Sequence, residues 1–327
     1  MEIIKISHPY EYSEIIQQPI VLVLGFFDGV HRGHQRVIKQ AEIEAETREL
    51  PLVVMTFDRH PKILYQDIKA DDYQYLTLTS RKMALFEALG VDYCYLIEFS
   101  KAFGSLAPQT FVDQYIVGLN AEVVVAGFDY TYGPAEYANM TTLPEHAKGR
   151  FEVINVPEYQ EQGHKIGTRF IVEDIKNGQM EAANQELGYP FQTQGEVIHG
   201  FKRGREIGYP TANIKHHPQQ LVPKIGVYVT AVEVDNHWYP AMTSIGYNVT
   251  FDDVKDLSIE AYILDFDEMI YGKTLRVHWY YYLRDELKFA NVEQLIAQLD
   301  QDLIDTRAYF EKHPERLDES KRRTFYE

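Results

Sequence analysis

Two histidines three positions apart close the segment Gly25-Phe-Phe-Asp-Gly-Val-His-Arg-Gly-His34. His31 and His34 stand on either side of Gly33, so both imidazoles can reach one phosphate group and stabilise the charge that grows on it under attack. The glycines let backbone pass close to a ligand, and a helix beginning here would offer free N–H groups to an anion. The same side chains admit other chemistry. Asp28, His31 and His34, with His60, are carboxylate and imidazole ligands of the kind that suit zinc or iron. The plain alternative is a glycine-rich turn with two solvated histidines.

A second constellation lies in Gly195-Glu-Val-Ile-His-Gly-Phe-Lys-Arg-Gly-Arg-Glu-Ile-Gly-Tyr-Pro-Thr-Ala-Asn213. Gly200, Gly204 and Gly208 give a backbone able to wrap phosphates, and Lys202, Arg203 and Arg205 place positive charge there. Thr211 and Asn213 are two apart on an extended segment, so both point to one face, where a hydroxyl and an amide carbonyl suit Mg²⁺. Further on, Glu260 is the odd residue of the apolar run Ser258–Phe266. Facing inward it would be a carboxylate in a partly dry site, able to take a hydroxyl proton. Facing outward it would be a solvated residue of an edge strand, and the glycine loop an ordinary basic turn.

These residues need a scaffold, and the composition bounds it. The 327 residues are 45% hydrophobic and 25% charged, the balance of a globular protein of about two domains. With 32 basic against 49 acidic residues the net charge is −17, which disfavours a nucleic-acid partner. The longest apolar run, Ile20–Phe27, is far short of a membrane span, and the N-terminus lacks an apolar signal core, so a cytoplasmic setting without a membrane partner is expected. The single cysteine, Cys94, excludes an intramolecular disulfide and reads as a buried small hydrophobe.

In the first half, the runs Ile20–Gly25, Leu52–Phe57, Tyr93–Phe99 and Glu122–Phe128 alternate with helical patterns over His34–Arg48, Ser80–Leu89 and Pro108–Gly118. Buried strands alternating with helices predict an α/β fold with a parallel sheet. A further helical pattern covers Ile175–Glu186. From about Gly195 the texture is β-rich, with strands expected over Gly226–Val234, Leu257–Leu264 and Thr274–Leu283. A capping box at Asn291–Gln294 then opens a helix with Val292, Leu295, Ile296, Leu299 and Leu303 on one face. This predicts a small antiparallel barrel with a terminal helix. The expected domains are 1–186 and 187–327.

At these motifs the chain resembles the prokaryotic bifunctional riboflavin kinase/FAD synthetase (FMN adenylyltransferase) family. Gly25–Gln35 is similar to its nucleotidylyltransferase signature, Thr56-Phe-Asp-Arg-His-Pro61 to its second motif, and Ala126-Gly-Phe-Asp-Tyr-Thr-Tyr-Gly133 to its third. The second half is similar to riboflavin kinase through to the terminal helix. The resemblance implies a Rossmann-like transferase domain that adenylylates FMN to FAD. His31 and His34 would contact the ATP phosphates there, with Phe27, Asp28, Gly29, Gly33, Asp129 and Arg169 around the nucleotide. It also implies a kinase barrel that phosphorylates riboflavin to FMN. In it Thr211 and Asn213 would hold Mg-ATP; Lys202, Gly204, Arg205 and Gly208 would line the ATP; Asn248 and Arg284 would meet the flavin. Glu260 would deprotonate the ribityl hydroxyl. The implied partners are riboflavin, FMN and ATP.

One stretch departs from the family pattern. Where the family reads Ile-Ser-Ser-Thr-Arg-Ile-Arg, this chain has Ile166-Gly-Thr-Arg-Phe-Ile-Val172, so Phe170 and Val172 replace guanidinium donors and Arg169 falls one place early. Asn248-Val-Thr-Phe251 likewise lacks a proline. The first departure motivates an alternative: a riboflavin kinase whose transferase domain is impaired. A flavin-binding sensor or scaffold, whose first domain binds nucleotide without turnover, and a metal-dependent hydrolase using Asp28, His31 and His34 remain as readings from other classes.

Overall fold

The structure is a computed structural model that describes residues 1–66, 68–69, 72–161, 164–200, 203–249 and 255–318, with backbone only for His164, Arg203, Asn248, Val249, Lys255 and Asp256. The chain divides into two compact units, Met1–Thr168 and Arg169–Glu327.

The first unit is built on six parallel strands: β1 (Glu2–Ile6), β2 (Ile20–Leu24), β3 (Leu52–Phe57), β4 (Tyr93–Ile97), β5 (Ala121–Gly127) and β6 (Glu152–Val156). Their order is β1-β4-β3-β2-β5-β6. Every residue of β2 and β3 is buried, which explains their unbroken apolar runs. β1 and β6 are edge strands that each bury only a single residue fully, so no apolar run marks them in the sequence. The helix Arg32–Arg48 lays Val37, Ile38, Ala41 and Ala45 on the core and stops at Glu49, whose φ is 55°. Cys94 is buried, as expected. Strand order reverses at one place: β2 leads to β3 on one side, and β5 leads to β6 on the other. The C-terminal ends of β2 and β5 therefore bracket the crevice where ligands bind in such sheets. A short hairpin, β7 (Gln160–Glu161) and β8 (His164–Lys165), follows β6.

The second unit is a closed barrel. Its strands are β9 (Phe191–Ile198), β10 (Ala212–His216), β11 (Gly226–Val234), β12 (His237–Val249), β13 (Lys255–Ile263) and β14 (Thr274–Arg284), in the order β10-β13-β12-β11-β14-β9. All neighbours are antiparallel. Consecutive tyrosines on β14 face opposite sides: Tyr280 is 1% exposed and Tyr281 41%.

The helical pattern expected over Ile175–Glu186 is two helices, Thr168–Asn177 and Met180–Leu187, broken at Gly178 with φ 80°. The Ile175 carbonyl accepts from the Lys224 N–H at 3.2 Å, and the Asn184 amide donates to the Trp279 carbonyl at 2.8 Å. Residues 169–186, read from sequence with the first domain, thus pack within the second unit. The terminal helix is Val292–Lys312, with the Asn291 side chain accepting from the Gln294 N–H at 2.9 Å. Its fully buried residues, Asp302, Thr306 and Phe310, continue at helical spacing the face that carries the half-buried Leu295 and Leu299. Val292 is exposed, while Leu295 and Leu299 line a cavity.

Candidate functional sites

In the first unit, β2 runs into Gly25 and Phe26, and Phe27 then turns left-handed at φ 56°. A Cβ on Gly25 would lie 2.5 Å from the Phe27 ring, so only glycine lets the ring fold back beneath the strand end. Gly29 and the β-branched Val30 also have positive φ, 76° and 36°, and Val30 is fully buried. Strain of that kind persists only where surrounding contacts over-determine it.

Asp28 supplies those contacts. Its carboxylate accepts from the Leu76 N–H at 3.1 Å, the Thr77 N–H at 3.0 Å and the Thr77 hydroxyl at 3.3 Å, and that hydroxyl accepts from the Gly29 N–H at 3.0 Å. Burial raises the Asp28 carboxyl above the ordinary range, against these N–H bonds. The carboxylate is committed to the fold, so Asp28 shapes the turn from within.

His31 caps the helix Arg32–Arg48: its Nδ1 accepts from the His34 N–H at 3.3 Å. The His31 proton is therefore placed on Nε2. The two rings stack at 3.6 Å between centroids, and a Cβ on Gly33 would meet His31 at 3.1 Å. Phe27 meets the His34 ring edge-on at 5.1 Å. Burial pushes His31 down to about 4 and His34 well below its usual value. Among the described residues, His34 Nδ1 is buried without a hydrogen-bond partner. Two neutral, closely packed imidazoles at the positive end of a 17-residue helix suit the phosphates of a nucleotide. Asp129 stands exposed just past β5, on the other side of the crevice. The Thr168 hydroxyl reaches the Asp28 carbonyl at 3.4 Å. Arg169 is exposed at the start of the second unit, with Phe170 46% exposed beside it.

The metal reading does not gain from this arrangement. Asp28 is spent on Leu76 and Thr77, and His60 Nδ1 accepts from the Lys62 N–H at 3.1 Å. Among the described residues no group of three or more His, Cys, Asp and Glu is placed to hold a metal.

Two features of this unit go beyond the sequence reading. Lys82 is buried beneath the turn, its ammonium 3.0 Å from the Phe26 carbonyl. Past the ends of β3, β4 and β5 lies a cavity of about 450 Å³ lined by Phe57, Tyr65, Phe99, Phe103, Tyr130 and Tyr132. Each of these aromatics reads locally as core; only the sheet order brings them round one space.

In the barrel, Asn213 on β10 is directly opposite Glu260 on β13, so both side chains leave the same face. The Thr211 hydroxyl donates to Glu260 Oε2 at 3.0 Å and the Ser258 hydroxyl to Oε1 at 3.1 Å. Glu260 stands half-buried on the outer face of β13, between the buried Ile259 and Ala261, and lines a cavity there beside Thr211 and Ser258. Gly200 packs against the Asn213 amide so closely that a Cβ would fall 2.3 Å from its nitrogen. Gly204 is held as tightly against the Tyr209 carbonyl, and Gly208 has φ 84°. Arg205 donates to the Tyr271 hydroxyl at 3.0 Å.

Thr211 lines two cavities. One, of about 610 Å³, also holds Glu260, Arg284, Met242, Leu287 and Leu299. The other, of about 300 Å³, holds Arg205, Pro210, Phe266 and Tyr271. Arg284 is fixed by Asp302 through contacts of 2.9, 3.1 and 2.6 Å, and Asp302 is 2% exposed. Of the residues expected here, Lys202 and the side chain of Asn248 lie outside the described residues. Among the described residues, no helix is long and apolar enough to cross a membrane.

Comparison with known proteins agrees with this two-part layout. The FAD synthetase family model matches residues 13–170 and the riboflavin kinase family model residues 187–310. A bifunctional riboflavin kinase/FMN adenylyltransferase of Listeria monocytogenes is 48% identical over 312 residues, covering 95% of this chain and 99% of the relative. The protein of the same name from Bacillus subtilis is 40% identical over 313 residues, covering 95% and 98%. A crystal structure described as a macrolide-efflux protein from Streptococcus pneumoniae superposes with a TM-score of 0.86 at 39% identity, covering 93% of this chain and 99% of the other. The efflux name is that protein's; what the two chains share is the fold. With both family models matched, an impaired transferase half is not favoured.

Proposed function

This chain belongs to the bifunctional riboflavin kinase/FMN adenylyltransferase family, and we propose that its two reactions are divided between the two units at the sites described above. The observation that carries the kinase assignment is Thr211, which lines both cavities of the barrel and donates to Glu260 in the larger. The larger cavity takes riboflavin, with Met242, Leu287 and Leu299 against the ring system. The smaller takes ATP, with Arg205 and the Gly200–Gly208 loop at its phosphates. Glu260 accepts the proton of the terminal ribityl hydroxyl, which then attacks the γ-phosphorus as ADP leaves. Such a transfer needs positioning and charge neutralisation more than covalent help.

The donor set fits a hard cation. The Thr211 hydroxyl and the Asn213 amide oxygen are both oxygen donors, and both lie beside the Glu260 carboxylate. Those two residues would hold Mg²⁺, which neutralises phosphate charge when bound.

In the first unit the α-phosphate of ATP lies at the His31–His34 pair and the helix N-terminus. A phosphate oxygen of FMN attacks the α-phosphorus, pyrophosphate leaves, and FAD forms. The imidazoles donate to the non-bridging oxygens as their charge rises. The 450 Å³ aromatic cavity suits the flavin ring, since stacked and edge-on aromatics favour a planar ring system. Chromatography of the full chain incubated with riboflavin, ATP and Mg²⁺ tests the assignment. FMN should appear first and FAD later, and chelation should stop FMN formation. FAD formed from supplied FMN by a His31→Ala/His34→Ala variant at the wild-type rate would refute the transferase site.

A further inference from the structure

Lys82 is a buried cation for which the chemistry above has no part. It lies on the helix Thr79–Ala88 with 3% of its surface exposed. Its ammonium donates to the Phe26 carbonyl at 3.0 Å and to the Thr56 hydroxyl at 3.1 Å, with the Phe57 carbonyl at 3.5 Å. It also sits 4.2 Å from the centroid of the Phe26 ring. Thr56 donates to the same Phe26 carbonyl at 2.8 Å. Its hydrogen-bond acceptors are thus neutral, and desolvating an ammonium against neutral acceptors is costly. A methionine would fill such a space without that cost, so the charge needs a reason.

The positions of the acceptors supply one. Phe26 follows β2, which borders the crevice, and Thr56 and Phe57 end β3, the neighbour of β2 on the side away from β5. Phe26 is also the residue before left-handed Phe27, whose ring packs under Gly25 and against His34. Whatever fixes the Phe26 carbonyl fixes the entry to the turn.

We propose that Lys82 is a positioning residue for adenylyl transfer: it ties the Phe26 carbonyl to the end of β3, and so holds the turn that presents His31 and His34 to the ATP phosphates. The inference rests on the reading of that turn as the transferase site. Asp28, Asp58 and the Cys94 thiol favour the charged ammonium, while His34 and His60 feel its charge as unfavourable to their own protonation. Burial outweighs the acidic neighbours and pushes Lys82 down to about 8. The protonated form makes all three donations, so FAD formation should decline as pH rises through that value. The kinase reaction, on the other unit, should lack this limb.

The test uses the full chain and follows both reactions in one preparation. Lys82→Met should lower kcat for FMN-to-FAD conversion on the order of 10²-fold, the cost of misplacing a reacting geometry, and should abolish the alkaline limb. Riboflavin phosphorylation should be unchanged, which shows that the barrel is intact. Thr56→Val removes one acceptor without emptying the site, and should shift the limb to lower pH with a smaller loss of rate. Wild-type rate and limb in both variants would overturn the proposal. Should Lys82→Met leave the first unit unfolded by near-ultraviolet circular dichroism, Thr56→Val decides alone by its limb. His31→Ala/His34→Ala separates the two inferences. FAD formation surviving that change overturns the site itself, whereas its loss beside an unaffected Lys82→Met overturns only the role of Lys82.

Discussion

Thr211 and Glu260 are 49 positions apart in sequence and share a hydrogen bond of 3.0 Å, with Thr211 at the wall between two cavities. The hydroxyl aims the carboxylate, and the carboxylate faces the space assigned to the flavin. Glu260→Gln keeps the shape and removes the proton acceptor. FMN formation should fall by about 10²–10⁴-fold, the usual worth of a general base. FAD formation from supplied FMN should not change. Parallel assays of the two half-reactions check both statements.

Gly25→Ala addresses the other unit. The new methyl would meet the Phe27 ring at 2.5 Å, so ring or strand end must move. Overpacking of this kind costs about 1–3 kcal/mol, and it displaces the ring that supports His34. Denaturant unfolding should show that loss, with slower FAD formation and an undisturbed kinase. Wild-type stability would mean that the ring relaxes freely.

His31 makes stability depend on pH. Its folded pKa is about 4 against a usual 6.5, so between these values the unfolded chain binds the proton and the folded one does not. Stability therefore falls as pH drops through that window, by at most roughly 3 kcal/mol, and the effect is absent above it. His31→Asn should reduce the difference between unfolding measured at the two ends of the window, leaving the part that His34 and His60 contribute. An unaltered pH dependence in this variant would place the acid sensitivity elsewhere.

The Arg284–Asp302 pair is nearly buried, with side chains 17% and 2% exposed. Removing one partner leaves the other charge stranded, so Asp302→Ala should destabilise the barrel by about 3–5 kcal/mol. Replacing both, as Arg284→Met with Asp302→Leu, should recover much of that stability. Riboflavin affinity should stay low in both, because Arg284 lines the flavin cavity. Calorimetric unfolding and a riboflavin titration separate the two effects.

The alternation of buried runs and helical patterns was enough to predict the parallel sheet, because β2, β3, β4 and most of β5 are apolar on both faces. Edge strands β1 and β6 escaped notice because one buried residue each leaves no period to read. The capping of the terminal helix at Asn291 was legible, being a contact between neighbours in sequence. That its inner face also carries a buried carboxylate was not, since the partner of Asp302 is Arg284 on β14.

The sequence by itself determined the residue types of both sites and the order of the two units, because glycine loops, histidine pairs and isolated carboxylates act over a few residues. Tertiary structure decided which way they face. Alternation places Glu260 outside the barrel interior, and the Thr211 segment, 49 positions away in sequence, covers that face and makes it a site. Asp28 looked available to a ligand until Leu76 and Thr77 claimed it. Lys82 looked like any helical lysine, and only the packing of its helix beneath the ends of β2 and β3 buried it. Burial and partnership across 26 to 56 positions of chain are made by topology, and no local pattern encodes them.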